Sequence, residues 1–585
     1  MKQSNDFYNI SFSVEHDSAV TILKNGKLHS LVNEERLCRH KHNAVPLLAL
    51  KKSIDYLNEV ITDPLKDSKI TCCSLSPKDV GVNEYLGYLT KICNYQPFVE
   101  KEDMNDVSIE VHSSHHLLHA LIGYLRSGFD NAVVITIDGA GECFEYGKEH
   151  ETVMQFNGIN SSLDFWKKVI MYDDKNGSPP PHVEPVSVIG AGYAYSAITQ
   201  ALGYEGLDNG KTMGLSSYGK ENPHIPKLIE PDLVASRYFR LNYINDDKYS
   251  NGPRSAWWIG CPNPEVKSRI PEEIKPDIAY RIQKDYEDYL IHLVTEKLPK
   301  YTDCKNIILT GGCALNCVAN YRLRKALSKE YNLYSEALCD DSCISLGSAI
   351  IDSLHNERQN ENNNEKHGID ISGIYHGVEL NYDYKLKEVE TEKKVTPEEV
   401  AKLLVDGNIV AIAQGKSELG PRALGNRSIL FDPRCKEGRD IVNEVKQREW
   451  FRPFAGTVML EHAREWFDLD KLAESPHMTY AMDVWKDKQE LIPAITHVDG
   501  TCRIQTVTKE QNENYFNLIE EFYKLTNVPM VLNTSFNLGG EPLVGDINSC
   551  FRTIRMSKIE YLYLPEIETL IYSPNSEKNI RERNV

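Results

Sequence analysis

The segment Gln414–Arg434, QGKSELGPRALGNRSILFDPR, sets four cations, Lys416, Arg422, Arg427 and Arg434, among three glycines, Gly415, Gly420 and Gly425. Glycines admit backbone amides close to a ligand, and guanidinium forks match phosphate oxygens in two-point contacts. That is the chemistry of holding a small, highly anionic substrate. Neither the P-loop spacing nor GxGxxG occurs in the segment. Its acidic residues are Glu418 and Asp432.

A second constellation lies far away in sequence. His115 and His119 are spaced so that, on a helix, they share one face and can ligate one metal through ring nitrogens. His112 and His116 of the same HSSHHLLHA stretch would point elsewhere. Asp138, at the end of the apolar run NAVVITID, is a natural third ligand, and Asp340 or Asp341 can supply another. Two imidazoles with two carboxylates suit iron(II), manganese or zinc, with positions open for a substrate. Glycine-bearing stretches at Gly139/Gly141, at Gly311-Gly312 and across Lys211–Gly219 read as turns that let a nucleotide approach strand ends.

The elements that must position these residues alternate. Ile10–Val14, Val20–Leu23 and Leu28–Val32 read as strands, the last two joined at Asn25-Gly26 as a hairpin. Asn131–Asp138 and Lys305–Leu309 are further strands, and Asp277–Lys297 is helical. In the C-terminal third, Thr396–Val405 is a helix capped by Thr396 with Glu399 three residues on. Ile409–Ala413 is a buried strand, Arg439–Lys446 a helix, Thr457–Leu460 a strand, Asn514–Thr526 a helix and Met530–Leu532 a strand. Mixed elements with functional residues at strand ends indicate an α/β architecture.

The chain of 585 residues exceeds what one core accommodates. The polar stretch HNERQNENNNEKHGI, residues 355–369, divides it; neither side shows obvious repeats. The units expected are residues 1–355, a connecting segment 356–394, and residues 395–585. A net charge of −19 weighs against polymeric nucleic acid and anionic membranes as main partners. The first residues lack the apolar core of a signal peptide, and no stretch is long and apolar enough to span a bilayer. Fourteen cysteines without CxxC spacing read as reduced and mostly buried, and a cytoplasmic location is expected.

Together these stretches resemble the O-carbamoyltransferases of the nodulation, cephamycin and tobramycin type. The matching residues are HDSA after the first strand, NEERLCRHKH (Asn33–His42), HHLLHA (His115–Ala120), IDGAGE (Ile137–Glu142), KTMGLSSYG and TGGCALN (Thr310–Asn316). The C-terminal third adds ELGPRALGNRSIL, KQREWFRPF (Lys446–Phe454), DGTCRIQTV (Asp499–Val507) and LNTSFN (Leu532–Asn537). The resemblance implies an N-terminal domain similar to tRNA threonylcarbamoyl-transfer enzymes of the actin/Hsp70 superfamily, and a YrdC-like C-terminal domain. It implies that the latter makes carbamoyl adenylate from carbamoyl phosphate and ATP, and that the former moves the carbamoyl group to an acceptor hydroxyl.

By the same resemblance Lys446, Arg452, Arg503, Asn533 and Ser535 grip carbamoyl phosphate and ATP, with Lys446 and Arg503 active in the chemistry, and the loop cations Lys416, Arg422 and Arg427 are expected to join them. Gly139, Gly311, Gly312 and Asn316 would meet the nucleotide in the transfer domain. His115, His119, Asp138 and Asp341 would hold the metal, iron(II) before others, while magnesium accompanies ATP. The family pattern has a smaller, glycine-bearing loop where Cys339–Cys343 stand, so Asp340 competes with Asp341 as ligand. His16 or Asp17 could take the acceptor's proton. The acceptor expected is a small molecule of natural-product or sugar type; a hydroxymethylated nucleotide or a tRNA threonylcarbamoylation reaction is the alternative. A homodimer is among the assemblies this allows.

Overall fold

The computed structural model describes residues 6–14, 17–60, 68–73, 109–112, 114–139, 141, 147–158, 162–171, 183–186, 190–225, 227–229, 270–359 and 368–574. His16 and the stretch 360–367 lie outside the described residues.

Three sheets organise the chain. The first contains β1 (Tyr8–Ser13), β2 (Ala19–Lys24), β3 (Lys27–Asn33), β4 (Ser68–Cys73) and β5 (Ile109–His112), in the order 3-2-1-4-5. β1, β2 and β3 pair antiparallel, whereas β1, β4 and β5 are parallel. The β2–β3 turn is the expected Asn25-Gly26 pair, with φ of 51° and 75°. Positive φ at both central residues gives the hand of turn that matches strand twist.

The second sheet contains β6 (Asn131–Ile137), β7 (Gly147–Asn157), β8 (Ser162–Met171), β9 (Val183–Val186), β10 (Asn306–Thr310) and β11 (Asn332–Ser335). β6, β7 and β8 are antiparallel neighbours, and β6, β10 and β11 are parallel. The arrangement of the first sheet is therefore repeated, with β9 added beyond β8. This duplication is invisible as a sequence repeat because hydrogen-bond topology constrains side-chain alternation, not residue identity.

The third sheet has nine strands: β12 (Thr391–Lys394), β13 (Val410–Ala413), β14 (Arg427–Phe431), β15 (Ala455–Met459), β16 (Ala481–Asp483), β17 (Thr501–Val507), β18 (Met530–Ser535), β19 (Tyr561–Leu564) and β20 (Thr569–Tyr572). β13 and β14 are buried along their whole length, as strands covered on both faces are. The helix Pro397–Val405 carries the expected capping box of Thr396 and Glu399. The architecture is mixed α/β.

Two boundaries differ from the sequence reading. The helix Ile344–Gln359 runs into the polar stretch, because nothing in Leu354–Gln359 breaks a helix. Residues beyond 368 are tied down: Leu28 and Leu31 donate to the carbonyls of Asp370 and His376, covering the edge of β3. Lys211–Gly219 is also not a glycine turn, since residues Asn209–Ser216 form a helix. Gly214 lies against Pro453 and Phe451, so its smallness serves packing between the N- and C-terminal parts.

Candidate active site: a histidine–aspartate cluster and a cationic pocket

Helix His115–Ser127 packs on β6 and β10 and against helix Ile344–Gln359. Gly347 makes the helix pair possible, because a Cβ there would stand 2.6 Å from the Leu118 carbonyl oxygen. That close approach brings the turn Asp341–Cys343, just before the second helix, beside the first turn of the other. β6 ends one residue before Asp138 and aims it at the same point.

His115 and His119 are 2% and 0% exposed, and their Nε2 atoms lie 3.2 Å apart. Asp138 Oδ2 is 3.3 Å from each. Asp341 Oδ1 is 3.5 Å from His115 and 3.3 Å from His119. One ligand atom from each of the four residues falls within 4.8 Å of the others. Burial opposes charge on His115, yet Asp341 and Asp138 outweigh it and hold the imidazole up to about 10. Burial and Asp341 would raise Asp138, but the two imidazoles dominate and keep it below the carboxylate range. Positive charge is thus wanted where the four ligands converge, and a divalent cation can replace the protons. The residues fit a metal of the iron, manganese or zinc kind.

The neighbours sort themselves by partner. Asp340 turns away, accepting from Ser342 Oγ at 2.5 Å, and burial pushes it up to about 6. His116 meets Thr152 and Glu149 instead. Asp17 sits at φ 62° and meets His42 Nδ1 at 2.7 Å. Gly311, at φ 79°, passes so close to β6 that a Cβ would be 2.5 Å from the Ile137 carbonyl oxygen. A Cβ on Gly312 would be 3.1 Å from Asp138 Oδ1, whereas Gly139 faces open space. Asn316, read as a nucleotide contact, is occupied otherwise: it caps helix Cys317–Ala326 through Ala319 and donates to Gln283.

The loop Gln414–Arg434 divides into scaffold and site. Arg427 is fully buried, and its guanidinium donates to the carbonyls of Gly545, Gln414, Asn426, Val378 and Gly415. Its donors are spent on backbone, so it holds the loop rather than an anion. Glu418 does the same from inside, accepting from the amides of Leu424, Asn426 and Arg427. Arg434 pairs with Asp432 through two nitrogens. Lys416 reaches the carbonyl of His29 in the first hairpin.

Arg422 is the loop cation that joins a cationic group. Burial, then Arg503, lowers it to about 9, and its Nη2 donates to the Leu315 carbonyl at 3.3 Å. Burial, opposed by Glu449, lowers Arg452, with Arg503 adding to the shift. Burial also depresses Lys446 well below the amine range, with Arg448 and Arg452 contributing next. Lys446 donates to Ser535 and Asn537, including Asn537 Oδ1 at 2.8 Å. Asn533 donates to Thr457 Oγ1 at 2.9 Å, and its Oδ1 is buried without a hydrogen bond among the described residues. Arg448, which the sequence reading passed over, lies in the same group, stacked 4.2 Å from the centre of the Phe454 ring. Its burial beside Arg452 and Arg503 lowers it strongly. The sequence signal was its place between Lys446 and Arg452. Cations that repel one another in a buried setting are what a multiply charged anion relieves.

A small pocket adjoins this group, lined by Ser217 and Cys317 from the N-terminal part and by Phe454, His497, Cys502 and Arg503. Ser217 Oγ donates to Asp499 across the seam at 2.8 Å, and Lys211 pairs with Glu449 at 2.9 Å.

Residues 76–350 match the family model "Carbamoyltransferase N-terminus", and residues 401–570 match "Carbamoyltransferase C-terminus". The nodulation protein NolNO of Sinorhizobium fredii is 30% identical over 94% of this chain and 78% of its own length. The 3'-hydroxymethylcephem-O-carbamoyltransferase of Streptomyces clavuligerus is 29% identical over 60% of this chain and 63% of its own. Its counterpart from Amycolatopsis lactamdurans is 34% identical over 41% and 44%.

Proposed function

The chain belongs to the carbamoyltransferase family and is an enzyme of carbamoyl transfer, and from this we propose a two-site reaction with an activated carbamoyl donor passed between the sites. The C-terminal part, YrdC-like on this reading, consumes carbamoyl phosphate, ATP and water. It yields carbamoyl adenylate, pyrophosphate and phosphate. The N-terminal part, whose duplicated sheets support an actin-like fold, transfers the carbamoyl group to a hydroxyl and releases AMP.

The observation that carries this reading is one short segment that borders both clusters. Gly312 stands against Asp138 of the histidine–aspartate cluster, while the Leu315 carbonyl, three residues on, receives Arg422 of the cationic group. An intermediate made beside Arg422 therefore has a second, chemically distinct site near at hand.

In the cationic pocket, Arg422, Arg452 and Arg503 would neutralise the phosphates as charge builds on them. Lys446, anchored on Ser535 and Asn537, fixes the floor of that site. At the other cluster His115, His119, Asp138 and Asp341 would hold a divalent metal, which supplies Lewis acidity toward a carbonyl or phosphate oxygen. Gly139, which faces open space, leaves room for a nucleotide beside it. Asp17, steadied by His42, is the described candidate for taking the acceptor's proton. The acceptor proposed is a small-molecule hydroxyl, in keeping with the hydroxymethylcephem for which the cephem relatives are named. Among the described residues no helix is long and apolar enough to cross a membrane.

The test mixes purified protein with ATP, magnesium and carbamoyl phosphate and follows pyrophosphate and the mass of carbamoyl adenylate. A panel of hydroxyl acceptors is then screened for a gain of one carbamoyl group. Absence of pyrophosphate release with any divalent metal, with and without acceptors, would remove the adenylate route.

A further inference from the structure

We propose that His497 is the proton acceptor for the water that strips the phosphoryl group from carbamoyl phosphate, and that Asp499 positions it. The proposal rests on the adenylate route above and names a residue for its first step. The route through carbamate contains such a step. On it, the carbamoyl oxygen that ends on the α-phosphorus of ATP first loses its own phosphoryl group. The oxygen–phosphorus bond of carbamoyl phosphate breaks, a water oxygen bonds to that phosphorus, and the water's proton has to go elsewhere. Phosphate and carbamate result, and carbamate then attacks the α-phosphorus and expels pyrophosphate.

The cationic group offers no acceptor for that proton. Arginine has none. Lys446 Nζ is directed at oxygens of Ser535 and Asn537, away from the residues that line the pocket. Among the other polar groups of the pocket, burial pushes the Cys502 thiol up to about 12, so it takes no part as a thiolate near neutrality. Ser217 Oγ and Thr501 Oγ1 both donate to Asp499.

His497 is different. It lines the pocket, its side chain is 7% exposed, and Nε2 is buried with no hydrogen-bond partner among the described residues. Its other nitrogen, Nδ1, faces Asp499 Oδ1 at 3.6 Å. A carboxylate on that side favours the proton on Nδ1, which leaves the Nε2 lone pair directed at the pocket. The ring is fixed on its other flank by Tyr218, whose ring stands edge-on at 5.7 Å. Its backbone is pinned to Thr501 by a hydrogen bond of 2.8 Å. Arg503, whose Nε is likewise buried without a partner, lines the same pocket. A phosphate on Arg503 would thus stand beside an oriented base.

The experiment compares two donors in the H497Q variant. Pyrophosphate release from ATP is measured with carbamoyl phosphate, and again with carbamate supplied by equilibrated ammonium bicarbonate, which bypasses the hydrolytic step. A general base is worth about a hundredfold or more, so the rate with carbamoyl phosphate should fall at least about that much further than the rate with carbamate. In H497A, added imidazole should restore the carbamoyl phosphate rate selectively. Equal losses with both donors, no loss with either, or no imidazole rescue in a folded H497A protein would overturn the proposal. A wild-type enzyme that releases pyrophosphate with only one of the two donors would also overturn it. One that releases none with either donor would overturn the adenylate route itself, and this step with it.

Discussion

His115 and His119 point their Nε2 atoms at the same spot, 3.2 Å apart, with carboxylate oxygens of Asp138 and Asp341 within 3.5 Å of both. Two buried imidazoles in that geometry compete for the same protons unless a cation takes their place. Purified protein is expected to carry about one divalent metal per chain. His119→Ala and Asp341→Asn should reduce that content at least tenfold by elemental analysis. Asp340→Asn should retain it, because Asp340 turns to Ser342. Pyrophosphate release with carbamoyl phosphate should continue in the metal-poor variants while transfer to the acceptor stops. Full metal content in Asp341→Asn, with loss in Asp340→Asn, would reverse the ligand assignment.

Arg422 and Arg427 separate function from stability within one loop. Arg427 donates to five backbone carbonyls, so Arg427→Ala removes five hydrogen bonds, although Val378, Gly415 and Asn426 keep the amides of Ser417, Leu380 and Gln414. A loss of about 3 kcal/mol or more is expected in denaturant unfolding. Arg422 is held against Arg503 and donates a single hydrogen bond. Arg422→Ala should change stability by less than about 1 kcal/mol yet lower adenylate formation by roughly a hundredfold. Adenylate supplied from outside should still be consumed by Arg422→Ala at near the normal rate. Comparable losses in that transfer would break the division between the two sites.

How much of this was legible in the chain depends on which level of structure each residue serves. The histidine pair and Asp138 could be read because helix periodicity and a strand end each fix a direction locally. Asp341 could not be separated from Asp340 by spacing, since the choice is made by Gly347 drawing two helices together over a long sequence separation. Loop 414–434 was legible as rich in cations, but not in which cations remain available. That depends on whether carbonyls from Val378, Gln414 and Gly545 surround a guanidinium, a tertiary fact. The glycines at Gly210 and Gly214 read as a turn, yet Gly214 serves a contact with the C-terminal part, and the packing of Asn209–Ser216 outweighs the helix cost of two glycines.

His477 gives the fold an acid limb. Burial, with Arg126 adding repulsion, lowers it to about 3 from the ordinary value near 6.5. Between those two values the unfolded chain binds a proton that the folded chain refuses. Stability from this group is therefore complete above pH 6.5 and falls as pH drops toward 3, with a slope approaching about 1.4 kcal/mol per pH unit. His477→Gln should flatten the curve of unfolding free energy against pH in this window and leave it unchanged near pH 8. A curve of the same slope in the variant would assign the acid sensitivity elsewhere.

Arg36 ties the N-terminal part to the anion loop. From the helical turn Glu34–Cys38 its guanidinium donates to Ser417 Oγ, to the Glu418 carbonyl and, at 2.6 Å, to the Gly420 carbonyl. Gly420 has a φ of 70°, and Arg422 follows two residues later. The orientation of Arg422 toward Leu315 is thus set partly by a residue nearly 400 positions earlier in the chain. Lysine in place of Arg36 keeps the charge but cannot fork across two carbonyls. Arg36→Lys should therefore raise the KM for carbamoyl phosphate several-fold, with little change in metal content. Arg36→Ala should add a stability loss of about 2 kcal/mol from the unpaired carbonyls. If Arg36→Lys keeps the normal KM, positive charge alone holds the loop. The fork then contributes nothing to where Arg422 points.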